Sequence, residues 1–208
     1  MAEYRRPDEN WNEFQWENEI RRDERRISCY FRELPACLDL PGEEEMIFDS
    51  LASRPDLVPT GSSPEALRGW FHQNDEDEDF DESDDTRRPG SDIVDRIDHL
   101  AAEWNVVAAC RLRSNLDLPG LGVCCAYAKL LARTADFLDT ADQERGLKLS
   151  LGKRALADLN ELVGMLARIG SEQHSLRPWL LLVQQELLGH IRERLVDQLE
   201  RVRTTNEA

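Results

Sequence analysis

The sequence predicts an all-α protein: a C-terminal up-down four-helix bundle, preceded by an N-terminal helical extension and an acidic linker. Three observations carry this expectation. Apolar residues recur at spacings of three and four, and no segment alternates with period two as a half-buried strand would. Connections bearing Pro, Gly or Asp of about six to eleven residues separate these segments, lengths that suit antiparallel helical neighbours. Charge is also divided unevenly along the chain. Residues 1–90 hold 25 acidic and 11 basic side chains, a net of −14, whereas residues 91–208 hold 17 and 15, a net of −2. The expected division is 1–73 for the N-terminal helical segment, 74–91 for the linker and 92–204 for the bundle.

From Asp8 to Leu34 there is no Gly or Pro, and Trp16, Ile20, Ile27, Phe31 and Leu34 form one helical stripe. The run Arg21–Arg26 (RRDERR) reads as a solvated helix face with Glu–Arg pairs such as Glu17–Arg21. Next comes EEEMIFDSLAS, its acidic residues in the first turn where the helix macrodipole favours them. SSPEALRGWFHQ opens with Ser63 as N-cap and Pro64 at the first helical position. Nine carboxylates then fall within the eleven residues Asp75–Asp85. Such density repels itself and buries no core, so a disordered or extended linker is expected. Its Asp75, Asp77, Asp79 and Asp81 have EF-hand spacing, but Phe80 replaces the turn Gly and Thr86 the bidentate Glu, so it is no EF-hand.

The bundle helices are expected at about Asp92–Arg113, Val123–Leu138, Ser150–Ile169 and from near Ser175 onward. Their stripes are Ile93, Ile97, Leu100, Trp104, Val107 and Ala108; Val123, Tyr127, Leu130, Leu131 and Leu138; Leu156, Leu159, Val163, Leu166 and Ile169; and Leu180, Leu187, Leu188, Ile191, Leu195 and Val202. Ser91 is the expected N-cap of the first, and Gly170 the stop signal of the third. The pentapeptide LDLPG occurs at Leu38–Gly42 and again at Leu116–Gly120. Its flanks do not match, so it reads as one turn device used twice, with Pro–Gly presetting a type II turn.

Net negative charge opposes binding to phosphate backbones and anionic lipid, so neither nucleic acid nor membrane is an expected partner. The five cysteines are odd in number and include an adjacent pair, and no apolar leader precedes them; a reduced, cytoplasmic protein is expected. Cys124 and Cys125 lie about 100° apart on a helix, so one is expected in the core and the other at its boundary.

Three constellations have the residue types that chemistry requires. Asp95, His99 and Glu103 share a helix face and are suitable metal ligands, but His99 falls on the flank facing water, outside the apolar stripe. Glu186 and His190 stand one turn apart with Arg194 beyond them, an acid–base pair or a boundary salt-bridge ladder. Arg168 and His174 stand near the turn between the last two helices. That Arg-x4–6-His spacing in a small helical bundle resembles the HEPN ribonucleases. The resemblance implies His174 acting on a 2′-hydroxyl and Arg168 stabilising phosphate charge, although a Gly separates the two here.

No cofactor is expected. The leading expectation is a non-enzymatic interaction protein whose N-terminal half holds another, basic protein. Aromatic residues among carboxylates suit that role, because the ring desolvates while the charge steers. The residues concerned are Trp11, Phe14, Trp16, Trp70, Phe71, Asp75, Asp77, Asp79, Phe80 and Asp81. A homodimer is a further way for the N-terminal stripe to be buried. The alternative is a ligand- or metal-binding bundle, or a HEPN-like ribonuclease.

Overall fold

Regular structure among the described residues is helical throughout, with no strand. The computed structural model describes residues 11–37, 40–57, 90–111 and 118–204. They divide into two units, residues 11–13 with 90–111 and 118–204, and residues 14–37 with 40–57.

In the second unit α1 (Glu13–Cys37) and α2 (Glu43–Ala52) form a helical hairpin. Ile47, Leu51 and Leu57 are buried, and Cys29, Tyr30, Leu34 and Cys37 of α1 pack against them. Polar contacts reinforce this side: Arg26 donates to the Leu57 carbonyl at 2.7 Å, and Arg54 pairs with Glu33 at 2.7 Å. The first LDLPG closes the hairpin as expected. Gly42 has φ 75° and ψ 28°, and the Glu43 amide donates to the Leu40 carbonyl at 3.2 Å, as in a type II turn. The second copy departs from expectation. Leu118 already opens a helix, so Pro119 stands in its first turn, where a missing N–H costs nothing.

The other unit holds α3 (Ser91–Arg111), α4 (Leu118–Asp139), α5 (Arg145–Glu172), α6 (Arg177–Glu186) and α7 (Arg192–Thr204). A π-helical turn, Leu187–Ile191, joins α6 to α7, so residues 177–204 form one rod. Pairings along each seam give the directions. Trp104 of α3 bonds to Gly120 of α4, while a Cβ on Gly90, just before α3, would meet Leu138 near the other end of α4. Gly122 of α4 lies against Met165 of α5, and Gly152 of α5 against Phe137 of α4 and Leu199 of α7. Gly170, at the far end of α5, lies against Leu180 of α6. Arg96 and Asp92 of α3 pair with Glu186 and Arg194 of the rod. Each neighbour therefore runs antiparallel to the last, and the ring closes as an up-down four-helix bundle.

The core runs along the axis through Ile97, Trp104, Val123, Tyr127, Leu130, Phe137, Leu159, Leu162, Leu166, Leu180, Leu187 and Ile191. Several stripe assignments need correction. Phe137 and Thr134 are buried where Leu138 and Leu131 were expected, and Leu162 where Leu156 and Val163 were. Gly170 does not stop its helix; α5 continues to Glu172, and Gly170 is buried beside Leu180, where an added Cβ would make an ordinary contact at 3.5 Å. Leu188 is 41% exposed.

The π turn explains the rod's pattern. Val183, Leu187, Ile191, Leu195 and Leu199 recur at every fourth residue, yet all five are buried. At about 100° per residue, four such steps drift by about 160° around an α-helix, which would carry Leu199 towards solvent. One wider turn takes up an additional residue and removes about 100° of that drift.

Candidate functional site

Among the described residues of its unit, the N-terminal helix presents the largest exposed apolar side chains. No residue of α1 is buried, and its expected stripe splits in two. Leu34 packs on the α2 core and Trp16 and Ile20 are half-buried, but Ile27 is 53% exposed and Phe31 64%. The reason is the side on which α2 docks: it takes Cys29, Tyr30, Leu34 and Cys37, leaving the adjoining face open. The Phe31 ring stands edge-on to Tyr30 with centroids 5.9 Å apart.

Of the partner-binding candidates, Phe14 is 73% exposed and Trp11 and Trp16 are half-buried. Trp70, Phe71, Asp75, Asp77, Asp79, Phe80 and Asp81 lie outside the described residues. The arginine run is a network of pairs: Arg21 with Glu17 at 2.8 Å, and Arg26 with Glu19 at 2.7 Å and Asp23 at 2.9 Å. A solvated, internally paired face was the expectation; Arg21, Arg22 and Arg26 are paired, but the Arg26 side chain is only 11% exposed and so departs from the solvated part of it.

The metal candidates remain at the surface. The His99 side chain is 72% exposed and stands 3.4 Å from Glu103, while Asp95 is exposed. Among the described residues no group of three or more His, Cys, Asp or Glu is placed to hold a metal ion. Arg168 is exposed on the last turns of α5, and His174 is exposed in the turn that follows. No hydrogen bond or ion pair among the described residues joins them. Neither cysteine of the adjacent pair enters the core: Cys124 is half-buried and donates to the Asn105 side chain at 3.2 Å, and Cys125 is exposed.

Glu186 and His190 do not form a ladder along their own rod. Glu186 instead turns to Arg96 across the seam, and Arg194 to Asp92 at 2.8 Å. The hydrogen bond from Arg96 holds the Glu186 carboxyl below its usual range, and the same bond raises the Arg96 guanidinium. His190 is exposed within the π turn. At the other end of this seam the rings of Trp104 and Trp179 stack, 6.2 Å apart and 15° from parallel.

Sequence reasoning missed a buried polar cluster between α4 and α5. Asp158, 6% exposed, lies 2.9 Å from Lys129 and 3.6 Å from Arg133. Nearby on α4 the hydroxyls of Tyr127 and Thr134 are buried without a hydrogen-bond partner. Burial, with a smaller contribution from the Glu103 charge, pushes the Tyr127 phenol up. The signal was present in the spacing: Ala155, Asp158 and Leu162 lie on one face, with a carboxylate amid apolar neighbours.

The fold defines a class, the up-down four-helix bundle carrying a separate helical hairpin. In comparisons with protein-family models, curated proteins and solved structures, nothing matches this chain. No helix of the described residues is long and apolar enough to cross a membrane.

Proposed function

We propose that this chain is a non-enzymatic protein–protein interaction protein whose acidic N-terminal half holds a basic partner protein. The observation that carries the reading is the pair Ile27 and Phe31, one turn apart and both more than half exposed on the face of α1 that α2 leaves open. Apolar anchors surrounded by charge are how small interfaces concentrate their affinity. Glu44, Glu45 and Asp49, exposed on α2, supply negative charge within the same unit, and residues 1–90 carry a net −14 from 25 acidic and 11 basic side chains. That field selects a partner rich in Lys and Arg. The thiols of Cys29, Cys37, Cys124 and Cys125 are free, which suits the reducing cytoplasm as its setting.

Site-specific cross-linking tests this. A photoreactive phenylalanine analogue at position 31 is compared with one at Asn18, exposed about 140° away around α1. The expected product forms from position 31 alone, and the cross-linked segment combines apolar side chains with Lys or Arg. Equal capture from both positions, an acidic segment, or no product from position 31 would overturn the reading.

A further inference from the structure

The four seams of the bundle are not built alike. Between α4 and α5, Gly122 lets Met165 in so closely that a Cβ would stand 2.8 Å from its methyl carbon. Between α5 and α7, a Cβ on Gly152 would stand 2.6 Å from Leu199. The seam between α3 and the rod has no such close approach. Residues 91–111 contain no glycine, and Gly189 of the rod has open space beside it. Helix α3 comes nearest the rod at the π turn. On either side of that turn the two helices are tied by side chains that water reaches: Asp92 with Arg194, 52% and 40% exposed, and Arg96 with Glu186, 51% and 27% exposed. The Trp104–Trp179 stack closes the far end.

We propose that α3 is the releasable helix of the bundle, tied to the rod at its solvent edge by these two ion pairs and detaching along this seam as a conformational unit. Exposed ion pairs are weakened by salt, whereas apolar seams are strengthened or unaffected by it. Salt therefore loosens the solvent edge of this seam, while the burial of Ile93, Ile97 and Leu100 still opposes opening. Detachment uncovers Ile93, Ile97 and Leu100 on α3, and Val183, Leu187 and Ile191 on the rod, all now buried. The inference stands apart from the partner reading, which concerns the other unit.

Hydrogen exchange on the full chain tests it, at low and at high salt, with the far-UV couplet of the stacked indoles followed in parallel. Raising salt is expected to speed exchange in residues 91–111 while residues 145–172 stay protected, and to reduce the couplet. Arg194→Glu, which sets two carboxylates together, is expected to speed exchange in α3 by about two- to tenfold. The swap Asp92→Arg with Arg194→Glu should restore the wild-type rate. Exchange of α3 together with α4 and α5 under every condition would overturn the proposal, as would salt-independent rates or failure of the swap to rescue.

Discussion

Two glycines on one helix should respond to the same substitution with different energies. Gly152 and Gly164 both lie within α5, in helical backbone, so Ala at either gains roughly 1 kcal/mol of helix propensity. At Gly164 a Cβ meets nothing within 4 Å. At Gly152 it would stand 2.6 Å from Leu199 Cδ2, 2.9 Å from Phe137 Cε2 and 3.0 Å from Leu199 Cγ. Side-chain ends often swing aside cheaply, but Phe137 and Leu199 are 0% and 3% exposed and have no space to enter. Overpacking of this kind costs about 1–3 kcal/mol. Gly164→Ala is therefore expected to stabilise by up to about 1 kcal/mol. Gly152→Ala should fall about 1–3 kcal/mol below it, a difference from which the propensity gain cancels. For a chain of this size that is about 2–4 °C in Tm per kcal/mol. Urea unfolding followed by tryptophan fluorescence measures both, with equal slopes as the check that the compared states are the same. Equal shifts for the two variants would refute the reasoning, because the close approach of α5 to its neighbours would then carry no energy.

Two further expectations concern buried polar groups. The Tyr127 hydroxyl is buried without a partner, so Tyr127→Phe should be neutral or stabilising by up to about 1 kcal/mol near pH 7. Burial raises the phenol's pKa in the folded chain. Below about pH 10 both states keep the proton; above it only the unfolded chain releases it, so stability falls by up to about 1.4 kcal/mol per pH unit. Tyr127→Phe should remove that part of the alkaline slope, and identical slopes in wild type and variant would contradict it. Asp158→Asn leaves Lys129 and the largely buried Arg133 without their carboxylate. Lys129 is 46% exposed, which places the expected loss near the lower end for a buried pair, about 2–3 kcal/mol by urea unfolding. Asp142→Asn, at a carboxylate 77% exposed whose partner Lys148 is 13% exposed but keeps its bond to the Thr140 carbonyl, should change stability by less than about 1 kcal/mol. Equal losses would show that burial does not set the value of these pairs.

The helical class and the bundle were legible because spacings of three and four are imposed by the 3.6-residue turn itself. Finer features were legible only where local chemistry decides them. The first Pro–Gly makes its turn because Gly42 accepts a positive φ; the second sits in the first helical turn, equally good for proline, and nothing within the pentapeptide chooses between them. Gly170 could not be told from a stop signal, since glycine stands both at helix ends and inside helices, and α5 runs two residues past it. The π turn is implied by five apolar positions at every fourth residue, a pattern that drifts off any straight α-helix. The split of the α1 stripe was not legible, because it depends on which side α2 takes. For the same reason Glu186 and Arg194 were expected to bond along their own helix, whereas their partners come from α3.

The most direct test of the central claim is equilibrium binding of the partner captured at position 31 to wild-type chain and to Ile27→Gln/Phe31→Gln. Each apolar anchor contributes about 1.5–3 kcal/mol when fully buried, so the variant should bind at least about tenfold more weakly. Its unfolding curve should coincide with wild type, because both side chains are exposed in the free protein. Affinity should also fall as salt rises. Equal affinity for the two chains would contradict the account and remove the open face of α1 from the binding surface.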